Sequence, residues 1–253
     1  MAEHQFCKLD VEGSSPPGSS LNTVVRVYIN NRNYVTWPKK MAEKLAGQGH
    51  DVIFYDNAST YEPLLEFYEN CPYEVVRSKK NAGHRAVWNS GLLDGYKDPY
   101  VVTDPDLDID DIPDDWPEKL LYGCKIHGYK CGFGLGASGM TNPEKKAFFA
   151  GRKQRFIQDV YFRQLIDTTF AVYTCNWPRF KSDVVGGIST GMPYVARHLP
   201  WHLRIPNPAK PTRFDFNDEI YYYLKSATTY VTALDHPHIQ SLMREWELRH
   251  MKM

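Results

Sequence analysis

The feature that most constrains this chain is a rhythm repeated through its N-terminal half: a β-branched run, a polar loop, then an amphipathic helical stretch. Val24 to Ile29 reads as a buried strand that ends at Asn30-Asn31-Arg32-Asn33. Thr36 is placed to cap a helix that has Pro38 in its first turn, Trp37, Met41 and Leu45 on one face, and Gly47 and Gly49 beyond its end. The pattern returns with Val52 to Tyr55, the loop Asp56 to Thr60, and a helix carrying Leu64, Phe67 and Tyr68. It returns again with Tyr73 to Val76 and a helix over His84 to Leu93, and a fourth strand at Tyr100 to Val102 runs into an acidic segment. Strands alternating with helices predict right-handed crossovers and a Rossmann-like, mainly parallel sheet with helices on both faces, whose ligand edge lies beyond the carboxyl ends of the strands.

The second half is less regular. Cys131 to Ala137 reads as a strand, Pro143 to Gln164 as helical and Thr168 to Tyr173 as a strand; the stretch after Gly186 reads mostly as loop until a helix near Asp218, with a terminal helix from His238 to Met251. The run Gly132-Phe133-Gly134-Leu135-Gly136 reads as a strand with a bare face close to bound sugar or backbone. It stands in the wrong order for a dinucleotide fingerprint, and no Lys-Ser or Lys-Thr completes a P-loop.

Composition narrows the partners. Lys plus Arg and Asp plus Glu each total 30, so the chain has no positive excess with which to hold a polyanion, and nucleic acid is excluded as the main expected partner. Five cysteines without C-x-x-C spacing fit neither a zinc site nor a full disulfide framework. No apolar stretch approaches the roughly 20 residues that span a bilayer. The N-terminus lacks the pattern of a secretory signal, and Gly13 to Ser20 reads as a flexible lead-in. The expectation is a soluble, cytoplasmic protein, free or peripheral to a membrane. It has a lead-in over 1–21 and a single domain over 22–253.

Asp104, Asp106 and Asp108 alternate after the fourth strand, so in an extended segment the three carboxylates point one way. Pro105 has no N–H for a sheet and should end regular pairing. Two hard oxygen ligands together with diphosphate oxygens suit Mg²⁺ or Mn²⁺. A solvated acidic loop is the competing reading, since Asp110, Asp111, Asp114 and Asp115 follow. An EF-hand register starting at Asp104 fails, because Ile109 falls at the glycine position and Asp115 at the glutamate position.

Three segments in order, Asp56-Asn57-Ala58-Ser59-Thr60, Asn81-Ala82-Gly83-His84-Arg85-Ala86-Val87-Trp88-Asn89, and a hydrophobic strand closed by Asp104-Pro105-Asp106, resemble the family-2-like glycosyltransferases of the GT-A fold. The resemblance covers roughly Val24 to Asp108. It implies a nucleotide-sugar-binding half over 22–110 and an acceptor-side half over 111–253. It further implies metal-assisted transfer of a sugar from a nucleotide-diphosphate sugar to a hydroxyl of a glycan, lipid-linked or protein acceptor, with inversion by single displacement. Under it Asn30, Asp56, Asn57, Asn81, Gly83, Arg85, Asn89 and Asp104 bind the donor, and Asp104 and Asp106 hold Mn²⁺ or Mg²⁺. His198 is a further metal-ligand candidate, because some GT-A proteins use a late histidine; a packed, hydrogen-bonded histidine is the plainer reading.

The second half departs from common members of that family, with Ile166-Asp167-Thr168-Thr169-Phe170 and Arg197-His198-Leu199-Pro200-Trp201 in place of the usual acidic pair and basic helix. Asp167 is the first candidate for the base that takes the acceptor proton, with Asp218 and Glu219 behind it. Trp177 and Trp201 could stack on a sugar or simply fill the core. A nucleotidyltransferase and an inactive nucleotide-sugar- or carbohydrate-binding protein are the alternatives. The first should carry a glycine-rich basic loop after the first strand, where this chain has Asn30-Asn31-Arg32-Asn33.

Overall fold

A computed structural model of the chain describes residues 23–127, 130–150, 154–166, 169–174, 185–226 and 237–250. The first half folds as its rhythm predicts: β1 (Arg26–Asn31), α1 (Thr36–Gly47), β2 (Asp51–Asp56), α2 (Glu62–Asn70), β3 (Glu74–Arg77), α3 (Ala86–Asn89) and β4 (Tyr100–Thr103). These strands lie parallel in the order β3-β2-β1-β4, with Asn31 beside Asp56 and Asp56 beside Arg77 at the carboxyl edge. Period-two alternation sorts their side chains between two cores. Val27, Ile29, Val52, Phe54 and Val101 pack with Met41, Leu45, Leu64 and Trp116, while Tyr28, Ile53, Tyr55 and Val102 pack with Ala86, Val87 and Trp88. Helical elements therefore cover both faces.

The third helix is shorter than its pattern predicts. Instead of running from His84 to Leu93 it is one turn, followed by tight turns that include Gly91 at φ +86. A single turn lacks the length to present an aligned N-terminal dipole.

The second half supplies β5 (Leu107–Asp108), α4 (Trp116–His127), β6 (Lys130–Gly132), β7 (Gly134–Leu135), α5 (Asn142–Phe149), β8 (Arg155–Gln158), β9 (Tyr161–Ile166), β10 (Ala171–Tyr173), β11 (Val185–Thr190) and β12 (Val195–His198). A 3-10 turn at Leu199–Trp201 follows, then α6 (Asp218–Ser226) and α7 (Pro237–His250). Strands β10, β6, β11, β9 and β8 extend the sheet beyond β4 to nine strands among the described residues, and β10 and β9 run antiparallel to their neighbours. The fold is thus mixed α/β: parallel in its first half and mixed in its second.

Two sequence expectations are corrected here. The stretch from Pro143 to Gln164 is helical only to Phe149 and then forms the β8–β9 hairpin. Arg155-Phe-Ile-Gln and Tyr161-Phe-Arg-Gln are aromatic and β-branched, and Asp159 takes the turn at φ +49. The stretch after Gly186 contains two strands, β11 and β12, whose partners lie far away in sequence.

The glycine run lies against backbone, one of its two expected neighbours. A Cβ on Gly132 would meet the Phe170 carbonyl at 2.9 Å, and one on Gly134 the Thr190 carbonyl at 2.1 Å. The run is also not one strand: β6 belongs to the large sheet, whereas β7 joins β5 and β12 in a small three-stranded sheet.

Capping of α1 differs from expectation too. Val35 occupies the N-cap without a side-chain bond, and Thr36 does not cap. Glu219, on α6, does the work from across the domain. It accepts the Val35 N–H at 2.6 Å, the Thr36 N–H at 2.8 Å and the Thr36 hydroxyl at 2.5 Å. Two of the N–H groups that a helix start leaves open are thereby satisfied, by a carboxylate at the positive end of the helix dipole. Tyr34, Trp37, Leu199, Phe216, Ile220, Leu224, Ile239 and Leu242 form the core joining α1 to α6 and α7.

Candidate active site

Where β4 ends, the chain bends at Pro105 and Asp106 rather than staying extended, so the three alternating aspartates part company. Asp108 pairs with Arg197 at 2.8 Å and Arg213 at 2.9 Å; Asp111 pairs with the same two arginines, and Asp110 with Lys40 and Arg213. The downstream acids form a neutralised network that fixes β5 to β12. Asp106 is buried as well, but it faces His198 and Tyr223 instead.

Asp106 is 3% exposed. Its Oδ2 accepts the Tyr223 hydroxyl at 2.9 Å and lies 3.2 Å from His198 Nε2. Its Oδ1 is buried with no hydrogen-bond partner. Burial by itself would raise this carboxyl; the adjacent His198 and the bonds from His198 and Tyr223 outweigh it and hold the group below the usual carboxylate range. Tyr223 moves the opposite way, raised far above the ordinary phenol by burial and by the charges of Asp106 and Asp104, so it stays protonated and donates. The pairing of His198 with Asp106 follows from strand register. Within the β5–β12 bridge His198 stands opposite Leu107, and the Leu199 N–H reaches the Asp106 carbonyl at 2.9 Å.

A second group assembles at the ends of β1 and β2. Asn57 donates to the Gly83 carbonyl at 2.9 Å and accepts the Ala82 N–H at 2.7 Å. Asn30 donates to the Gly83 and His84 carbonyls at 3.3 and 3.1 Å, and Asn81 accepts the Gly83 N–H at 2.9 Å, a turn that Gly83 closes at φ +74. Asn30, Asn57, Asn81 and Gly83 are therefore gathered in one knot at the carboxyl edge. The Asn30 residue is 8% exposed and its Oδ1 has no partner, which leaves an open acceptor in the knot.

The remaining candidates are placed as follows. Asp56 is fully buried, with Oδ1 accepting the Ser59 N–H at 3.1 Å and Oδ2 paired with Arg77 at 3.1 Å, so it organises its own loop. Asp104 is half-buried and close enough to raise Tyr223. Arg85 is half-buried at the start of α3, and Asn89 is exposed at its end. Glu219 is committed to capping α1, and Asp218 is exposed and accepts the Trp246 indole N–H at 3.1 Å. Asp167 and Trp177 lie outside the described residues. Ile166, which precedes Asp167, closes β9 four strands from β4 and at the amino edge of the sheet, opposite Asp104. Trp201 packs edge-on against Phe148 at 5.5 Å.

Tyr223 and Tyr34, whose rings stack at 4.6 Å and 14°, are the site residues that sequence reasoning misses. The available signal was helical spacing: Tyr223 stands four residues after Glu219 and so shares its face of α6.

Behind the site, the imidazole of His202, 2% exposed, lies with Nε2 3.2 Å from the Gly136 carbonyl, a geometry suited to donation by the neutral ring. Burial pushes this histidine down to about 4 from 6.5. A depressed folded-state value means that its stability contribution is complete above about pH 6.5 and is lost as the pH falls towards 4. Between pH 7.5 and pH 5 the loss from this group is about 2 kcal/mol at roughly 1.4 kcal/mol per unit. Chemical denaturation at the two pH values should show that fall in the wild type and a smaller one in His202→Gln; equal falls would remove His202 as the cause.

No protein-family model matches the chain, and none of the curated proteins does. Among solved structures, residues 1–349 of TarS from S. aureus superpose with a TM-score of 0.38 at 13% identity, covering 60% of this chain and 47% of that one. Apo UDP-glucose pyrophosphorylase superposes with a TM-score of 0.39 at 8% identity, covering 67% of this chain and 90% of that one. The chain thus spans about half the length of the TarS chain it is compared with. Among the described residues no three His, Cys, Asp or Glu side chains are grouped to hold a metal ion by themselves, and no helix is long and apolar enough to cross a membrane.

Proposed function

We propose that the chain is a metal-assisted transferase that uses a nucleotide-diphosphate sugar and transfers the sugar to an acceptor hydroxyl. The observation that carries this reading is Asp106: a buried carboxylate held on one oxygen by His198 and Tyr223, with its other oxygen buried and unpartnered. A buried acceptor without a partner costs about 1–3 kcal/mol, and a ligand that fills it recovers that energy. An anionic hard oxygen flanked by an imidazole fits Mn²⁺ or Mg²⁺, ions that are commonly held by one or two carboxylates and the substrate's own phosphates. Bound there, the cation would neutralise charge developing on the departing diphosphate.

The residues divide the remaining work. Asp106 ligates through its open Oδ1 while His198 holds the other oxygen, and Asp104, two residues before it, adds a second carboxylate. The knot of Asn30, Asn57, Asn81 and Gly83 lies at the same edge and receives the nucleoside, with the open Asn30 Oδ1 accepting one of its N–H or O–H groups. Arg85 sets a positive charge against the phosphates. Asp56 acts indirectly by holding the loop that carries Asn57.

Thermal melting in the presence of nucleotide-diphosphate sugars, with and without Mn²⁺, tests the reading. A ligand at about 100 times its dissociation constant adds roughly 2.7 kcal/mol to stability, so the melting point should rise by several degrees, and only when Mn²⁺ is present. A rise that is the same without Mn²⁺, or no rise with any donor, would refute it.

A further inference from the structure

We infer that Tyr223 is a positioning residue for Asp106, held in place by the face of α6 that is also pinned to the start of α1. The inference rests on the donor-site reading above. It starts from the two oxygens of Asp106. A carboxylate buried on its own could rotate to satisfy either oxygen. Here Oδ2 is fixed by the Tyr223 hydroxyl at 2.9 Å and approached by His198 at 3.2 Å, and the rotation that results leaves Oδ1 without a partner. The open oxygen is thus a product of what holds the other one.

Tyr223 can hold it because its own position is determined twice. Its ring stacks on Tyr34 at 4.6 Å and 14°, and Tyr34 is tied to β1 through its carbonyl, which accepts the Asn31 amide at 2.8 Å. One turn earlier on the same face of α6, Glu219 is bonded to the backbone of Val35 and Thr36 and to the Thr36 hydroxyl, immediately after Tyr34. The helix is therefore pinned to the start of α1 by one residue while the next turn delivers a hydroxyl to Asp106. A partner of a metal-binding carboxylate that fixes its orientation typically matters 10–100-fold for metal affinity.

The test is Mn²⁺ binding to the full chain at saturating nucleoside diphosphate, read by water-proton relaxation, together with thermal melts, for the wild type, Tyr223→Phe, Tyr221→Phe and Asp106→Asn. Tyr223→Phe keeps the stacked ring and removes only the hydroxyl. It should bind Mn²⁺ roughly 10-fold more weakly with a melting point within a few degrees of wild type. Tyr221 lies on another face of α6, where its hydroxyl donates to Glu247 at 2.6 Å and accepts from Lys225 at 2.8 Å. Its Phe variant should keep wild-type affinity, and Asp106→Asn should lose measurable binding. Wild-type affinity in Tyr223→Phe, with binding lost in Asp106→Asn, overturns the positioning role and leaves the donor site standing. Equal losses in Tyr223→Phe and Tyr221→Phe also overturn it, since both would then act through the general stability of α6. No Mn²⁺ binding by the wild type overturns the inference and the donor-site reading together.

Discussion

Asp106→Asn is expected to lower metal-dependent turnover of a nucleotide-diphosphate sugar by about 10³-fold or more, the scale on which removing one element of transition-state charge stabilisation acts. The substitution is nearly isosteric, so packing around Tyr34, Tyr223 and His198 is preserved. It removes the negative charge that His198 faces, and it places an amide where the carboxylate offers only acceptors. Because an imidazole, unlike a guanidinium, can shed its proton once the carboxylate is gone, no buried charge is stranded and the net effect on folding is small. The signature is thus catalytic loss with a melting point within a few degrees of wild type, measured by release of nucleoside diphosphate and by thermal denaturation. Turnover within tenfold of wild type would show that the open oxygen takes no part.

Gly134→Ala is expected to be the most damaging small substitution for stability. The added methyl would sit 2.1 Å from the Thr190 carbonyl oxygen, a backbone atom in the large sheet that no rotamer change can move. Relief requires β7 to separate from β11, and β7 also pairs with β12 through Gly134 and Val195. A cost above about 3 kcal/mol follows from backbone overpacking, which for a chain of this size lowers the melting point by roughly 6–12 °C. Since β12 carries Arg197 and His198, the shift should also disturb the salt-bridge network around Asp108 and the contact with Asp106. Gly139→Ala is the comparison: its positive φ of +82 makes alanine strained, but its Cβ would meet nothing within 4 Å. Its cost should stay near 1 kcal/mol. Melting curves of the two variants decide the matter, and a Gly134→Ala protein that melts within two or so degrees of wild type would refute the packing argument.

The difference between what was readable in the sequence and what was not is physical. Strands β1 to β4 were visible because each alternates between two cores and is closed by polar residues at one edge, a pattern contained in a few consecutive residues. Asp106 was visible for the same reason, as the residue just past such a strand. What decides its chemistry was not local. The β5–β12 bridge joins Asp108 to Arg197 in strands only two and four residues long, too short for any periodicity to register. Alternation suggested three equivalent carboxylates, but the bend at Pro105 and Asp106 separates them, and Arg197 and Arg213 claim Asp108. Glu219 read as a helix-start acid on its own helix, yet it caps a different one 183 residues away. Asp56 matched a binding motif and proved to be enclosed by Ser59 and Arg77. Local patterns thus pointed to the edge that carries the candidate site, while the partners that make one aspartate distinctive come from the other half of the chain.

The central claim is that Asp106, oriented by His198 and Tyr223, holds the cation of a nucleotide-diphosphate donor. Anomalous diffraction at the manganese edge, from crystals grown with Mn²⁺ and a nucleoside diphosphate, tests it most directly. The account predicts a manganese peak bonded to the Asp106 Oδ1 side, with diphosphate density completing its shell and the nucleoside reaching the knot of Asn30, Asn57 and Gly83. Diphosphate bound elsewhere, or bound at this edge with no manganese on Asp106, would contradict it.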